Sequence, residues 1–345
     1  MTTQITAPAV QLLVQTQQMS DPMTSYGQSL IFDFGKQIQS GQQILAYSVA
    51  LSGFLVQYAT QSDVADEQVQ QFAIGLVPSL VGSQVVVTSN ILLADYDGDA
   101  ASETQDVSGR ESYALVTVIA IIGSAPTNTW TLTNTFWLQS GGSGSVNIPS
   151  FTNNLAYSSQ YIAGFDFLFA GDTKEEVNGF KLITSSTAVS STTDVVLNGS
   201  VTMSTDDKYS VEGTVSLGFL ASENPSDGEV LGFEIIELSD LSWSSPNGSN
   251  GMTASFSQNV NVPSGYQISN AAFLMSYIYL DFDKYHDLQI IGAGQSGALS
   301  VSNSNNTVSG SLLMNLYSDE GISKYSIQSD SSLTGSILVA FEPIS

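Results

Sequence analysis

Apolar and polar residues alternate along most of this chain with a period of two, the pattern of a strand that buries one face of a sheet. Between Thr307 and Tyr317 the alternation places Val308, Gly310, Leu312 and Met314 on one side. The same strand is written twice more upstream, as Leu197, Gly199, Val201 and Met203 and as Val87, Ser89, Ile91 and Leu93. Ile91, Val201 and Leu312 stand about 110 residues apart, a usual domain length. A second landmark keeps that period: Phe54, Phe165 and Tyr277 lie in the aromatic runs from Ala50, Ile162 and Leu274. Two strands that agree on one spacing are the mark of an internal repeat. A third apolar strand closes each copy, from Tyr113, from Tyr209, and from Tyr325 through Ser336 to Phe341. Its spacing is looser, and the variation falls in polar loops where insertions cost least.

These landmarks predict an all-β protein of three tandem antiparallel β-sandwich modules with an N-terminal arm. The arm is 1–27, and the modules are 28–124, 125–225 and 226–345. No long segment shows helical periodicity with caps, and large apolar residues on both faces of several strands favour sandwiches over open sheets. The Gln-rich arm carries Val10, Leu12, Leu13 and Val14. It is expected either to lie against the first module or a neighbouring subunit, or to hang as a tail.

Composition narrows the function classes. Seven Lys and Arg face 32 Asp and Glu, a net charge of −25, which repels phosphate backbones and excludes nucleic-acid binding. The absence of cysteine excludes disulfides, thiolate nucleophiles and zinc-thiolate sites. A hydrophobic fraction of 42% is ample for packed cores. The first basic residue is Lys36, so the weakly apolar run Ala7 to Val14 does not read as a secretory signal. No run is long enough for a membrane span, so no transmembrane segment is expected. The compartment stays open, and export by a signal-independent route is one of the options.

Few residues carry chemistry. Asp95, Asp97 and Asp99 alternate around Gly98, with Glu103 beyond, and such carboxylates read as a calcium loop; Ca2+ is the one cofactor suggested. The spacing departs from an EF-hand, and Asp and Gly are also ordinary residues of polar hairpin tips. Asp206 and Asp207, and Asp319 and Glu320, recur at the same turn. A second set of acidic loops (Asp63, Asp66, Glu67; Asp172, Glu175, Glu176; Asp281, Asp283) reads as solvated edges that discourage sheet-to-sheet pairing. His286, the one histidine, reads as a surface loop residue without a triad around it, so no enzyme is expected. Gly141 to Ser145 lacks the lysine and helix of a phosphate loop. Trp130, Trp137 and Trp243 fall on the first strands of the second and third modules. Their alternation turns them toward the core, although exposed aromatics would suit a sugar.

The strand Val49-Ala50-Leu51-Ser52-Gly53-Phe54 and the closing runs Val118-Ile119-Ala120, Gly218-Phe219-Leu220-Ala221 and Leu338-Val339-Ala340 resemble the H-type lectin β-sandwich. That resemblance implies N-acetylgalactosamine-type sugar binding and a fused version of a trimeric assembly, and it carries no sugar-binding residue onto this sequence. The expected function is a non-enzymatic, multivalent surface-binding protein, lectin-like, with a glycan or cell-surface partner and homo-oligomeric assembly. Two alternatives stand beside it: a self-assembling structural subunit of an extracellular fibre or particle, and a toxin-like component that binds a host surface and oligomerises.

Overall fold

Every named element is a strand, as the period of two predicts. The computed structural model describes residues 10–20, 28–57, 69–95, 112–124, 130–135, 137–147, 155–169, 177–188, 194–205, 211–223, 232–244, 251–286, 290–318, 325–327 and 330–344. The first part of the chain forms β1 (Val10–Ser20), β2 (Gln28–Asp33), β3 (Gln43–Gln57), β4 (Val69–Val81), β5 (Gln84–Asp95) and β6 (Tyr113–Gly123). The second forms β7 (Trp130–Asn134), β8 (Leu138–Gln139), β9 (Ser143–Asn147), β10 (Leu155–Phe169), β11 (Val177–Ala188), β12 (Asp194–Thr205) and β13 (Val211–Glu223). The third forms β14 (Phe233–Leu238), β15 (Gly251–Asn259), β16 (Tyr266–His286), β17 (Ile290–Gln295), β18 (Ser300–Ser302), β19 (Thr307–Ser318), β20 (Tyr325–Ser326) and β21 (Ser332–Pro343). Among the described residues no helix is long and apolar enough to cross a membrane.

The strands make three antiparallel sheets with one common plan. Sheet A runs β1-β6-β3-β17-β19-β15, sheet B runs β2-β5-β4-β10-β13-β7, and sheet C runs β14-β21-β16-β11-β12-β9. The short β8 adds to β13, and β18 and β20 add to β19; along the paths themselves each repeat supplies three strands to one sheet and three to the next. Its two halves face each other as a sandwich, while each half continues edge to edge into a neighbouring repeat. The joints are β3 with β17, β10 with β4, and β16 with β11, so the last repeat closes on the first. A head-to-tail contact that repeats three times and closes makes a ring.

The long strands β3, β10 and β16 show how closely the copies agree. Each bulges twice against its closing strand, at Leu45 and Ser52, at Ala156 and Ala163, and at Ser269 and Ser276. A bulge inserts one unpaired residue and bends the strand. Counting two residues past the second bulge brings Phe54, Phe165 and Ile278 into equivalence. The sequence landmark in the third copy, Tyr277, is thus displaced by one: Ile278 is buried and Tyr277 half-buried. Likewise Ile91 and Val201 correspond to Met314 rather than Leu312, because their partners are Ile74, Leu182 and Ala293.

Two apolar cores follow from this plan. One fills the three sandwiches and is continuous between them, with the Phe54, Phe72, Phe165 and Phe180 rings 4.9–5.8 Å apart between centroids. The other lies at the centre, where all three sheets meet. It is layered in threes: Leu12, Trp130 and Phe233; Ile119, Leu220 and Leu338; Ala50, Tyr161 and Leu274. The closing strands β6, β13 and β21 are consequently buried on both faces, which is why they read as near-continuous apolar runs. The N-terminal leader supplies β1, paired with β6 from Val10 to Ser20, so Leu12 and Val14 sit in the central core.

The ends of β3, β10 and β16 also point one way. Gln57 pairs with Ile290, Leu168 with Gln71, and His286 with Val177, and at each corner β19, β5 or β12 ends beside them. Only residues 287–289 separate β16 from β17, which ties two of the corners together, and 170–176 tie the third. Three residues span about 10 Å.

Candidate functional site

The outer face of sheet B, where the first and second repeats join, carries the one cleft we single out. It is shallow, about 330 Å³, and is lined by Ala73, Gly75 and Val77 of β4, by Thr88, Ser89 and Asn90 of β5, by Asp166 of β10 and by Trp137. The register explains the grouping: Ala73 pairs with Leu92 and Asp166, Gly75 with Asn90, and Val77 with Thr88. Odd-numbered positions of β4 and even-numbered ones of β5 therefore share this face.

Trp137 sits between β7 and β8 with φ at 39°, a conformation that a bulky residue seldom adopts. It stands beyond the end of β7, and its indole reaches across the joint to β4. There Gly75 accepts it: a Cβ on Gly75 would lie 3.3 Å from the indole Cζ2. Trp137 as a whole is 38% exposed. Trp130, by contrast, is buried in the central core, and Trp243 packs against the larger one. The expected inward turn thus holds for two tryptophans and fails for the third.

The polar rim is part engaged and part open. Gln71 Nε2 donates to Asp166 Oδ1 at 2.8 Å, which fixes the carboxylate and leaves Oδ2 open among the described residues. Thr88 Oγ1 has only a 3.4 Å contact with Ser29. No hydrogen bond among the described residues engages the Asn90 side chain, which is exposed. The arrangement offers a flat apolar surface beside an acceptor, an amide and a hydroxyl. Sites for small polar ligands are built this way.

The corresponding places on the other sheets differ. Trp137 matches Asp240 in the third repeat, itself at φ 56°, and by count matches Met19 in β1, which is buried. Asp166 corresponds to Leu55 and Tyr279, and Asn90 to Leu313 and Ser200. On sheet C, Lys181 Nζ lies 5.8 Å from the centre of the Tyr279 ring. Burial, followed by the Asp281 carboxylate that it faces, pushes the Tyr279 phenol up.

Of the residues singled out for metal, Asp95 is the last residue of β5, its backbone opposite Val69. Asp97, Asp99 and Glu103 lie outside the described residues, as do Asp63, Asp66, Glu67, Asp172, Glu175, Glu176, Asp206, Asp207, Asp319 and Glu320. Asp281, Asp283 and His286 are not in a loop: β16 continues through all three, because β11 pairs with it as far as His286. After Gly141 and Gly142 the chain enters β9 at Ser143, which pairs with β12. The cleft was not assembled from the sequence, because its residues come from two repeats. The one signal for it was a tryptophan followed closely by Gly141-Gly142. No protein-family model matches the chain, and a search of curated proteins found no significant match.

Proposed function

We propose that this is a non-enzymatic surface-binding protein whose ligand is carbohydrate, held on the outer face of sheet B. The observation that carries the reading is the half-exposed Trp137 indole, laid over Gly75 beside Asp166, Asn90 and Thr88. The apolar C–H face of a sugar ring stacks on such an indole, and its hydroxyls meet the polar rim. Among its described residues the cleft lining holds one carboxylate, where glycoside hydrolysis ordinarily uses a pair. A glycan array read with and without calcium, for the wild-type chain and Trp137→Ala, tests the proposal. Wild type should retain a subset of glycans and the variant should bind them at least tenfold more weakly, about 1.4 kcal/mol. A folded wild-type sample that retains none ends the proposal.

A second reading, a self-assembling subunit, is favoured by Ile31, Val77 and Val81, apolar residues 49–60% exposed on one face of β2 and β4. Contiguous exposed apolar residues commonly mark contact surfaces. Light scattering decides it: a monomer at every concentration reached counts against assembly.

A further inference from the structure

Resting on that carbohydrate-binding reading, we infer that the sheet B cleft is a single site per chain selective for uncharged sugar rings, with Asp166 as the residue that turns anionic sugars away. Three observations lead there.

The first is the charge around the indole. Among the described residues of the lining Asp166 is the one charged group, with no Lys or Arg beside it. Its Oδ1 is held by Gln71 at 2.8 Å, so the carboxylate cannot swing away from an arriving anion without breaking that bond. Lys181 belongs to sheet C, where it rests on Tyr279. Among the eight lining residues, then, nothing neutralises a sialic acid or sulfate. The chain as a whole adds a field of the same sign, with a net charge of −25.

The second is what the rim does offer. A carboxylate oxygen accepts from hydroxyl groups, an amide both donates and accepts, and a threonine hydroxyl does either. Neighbouring hydroxyls on a neutral ring satisfy all three. A charged-assisted bond from sugar hydroxyl to Asp166 is stronger than its neutral counterpart, so the residue that excludes anions also holds the neutral ligand.

The third is the count. The plan of the fold supplies three equivalent places, yet the tryptophan, the carboxylate and the amide occur together at only one. Met19 and Asp240 replace Trp137, Leu55 and Tyr279 replace Asp166, and Leu313 and Ser200 replace Asn90. Valency on a surface would then come from several chains rather than from three repeats.

The test uses the full chain on an array of matched glycans with and without a sialic acid or sulfate cap, read at low and high salt. Titration calorimetry with the best-bound neutral oligosaccharide follows. Neutral members should bind at least tenfold more tightly than their capped partners, the gap should narrow at high salt, and one ligand should bind per chain. Asp166→Asn keeps the shape and the Gln71 contact; it should weaken neutral binding and shrink the neutral-to-capped gap severalfold. Trp137→Phe should keep weakened binding while removing the ligand-induced change in tryptophan fluorescence. Preference for capped glycans, three ligands per chain, or an unchanged gap in Asp166→Asn overturns this inference and leaves carbohydrate binding standing. Retention of no glycan by the folded wild-type chain overturns both.

Discussion

Tyr161 is bulkier than its counterparts in the other two repeats. In the central core it stands level with Ala50 and Leu274, fully buried, and its phenol donates to Ser48 Oγ at 2.7 Å. Burial pushes that phenol far above its ordinary range, so it stays a neutral donor. The ring has its space because β13 carries glycine beside it: a Cβ on Gly218 would fall inside the van der Waals surface of the Tyr161 ring. The matching residues in the other repeats are Thr117 and Ser336, where the long strands carry smaller or more flexible side chains. Overpacking of this kind typically costs about 1–3 kcal/mol. Gly218→Ala should therefore lower the urea midpoint, and Tyr161→Leu in the same chain should return much of the loss. Additive losses in that double-mutant cycle would mean that the two positions are not in conflict. The cleft teaches a related point about reading the sequence. Trp137 stands seven residues after the buried Trp130, on the opposite face by a period of two, and lies beyond the end of β7 with a left-handed backbone. Local composition did not announce whether this residue was core or site.

At the level of strands, the repeat was legible and its exact registers were not. Equivalent strands fell on the matched landmarks because each has one buried face, and burial enforces the period of two. The long strands bulge at matching places in every copy, and the second bulges, Ser52, Ala163 and Ser276, show the third copy falling two residues later than the first spacing, so a count along the sequence slips by one or two there, as at Tyr277 and Leu312. Short edge strands such as β9, rich in Gly and Ser, carry too little apolar pattern to declare themselves. Contacts between repeats were also invisible, since the joints pair backbones far apart in the chain and further links are single polar side chains. Asn134, at the end of β7, uses its side-chain amide as a strand would: Oδ1 accepts from Val49 N–H and Nδ2 donates to Val49 C=O, both at 3.0 Å. Asn270 Nδ2 reaches Val14 O at 2.8 Å and joins β16 to β1. Asn134→Ala removes both bonds and leaves part-buried backbone groups unpaired, which ordinarily costs about 1–3 kcal/mol. The expected result is a lower midpoint, with faster hydrogen exchange at Val49. Unchanged exchange there would show that water replaces the amide freely.

The whole molecule behaves as one unit if the shared sheets govern its stability. Three separate sandwiches would each own a core and could melt in turn; here every sheet is half one repeat and half another, and both cores run through all three. Separating a repeat would open two sheet joints and strip one side from the central core. An isolated 125–225 would keep β10 without β4 and β11 without β16, leaving strand edges and apolar faces bare. The leader belongs to the same bargain. Removing 1–20 deletes β1, uncovers β6 along its whole length and withdraws Leu12 and Val14 from the centre. Burial of a large aliphatic side chain contributes about 1.5–3 kcal/mol, so two such residues amount to a large part of the net stability of a typical domain. Calorimetry on the full chain should accordingly show one transition whose van't Hoff and calorimetric enthalpies agree. The chain lacking 1–20 and the isolated 125–225 should both lose cooperative melting. Three resolved transitions, or a cooperatively folded 125–225, would instead mean that the joints between repeats are dispensable and that each sandwich is sufficient alone.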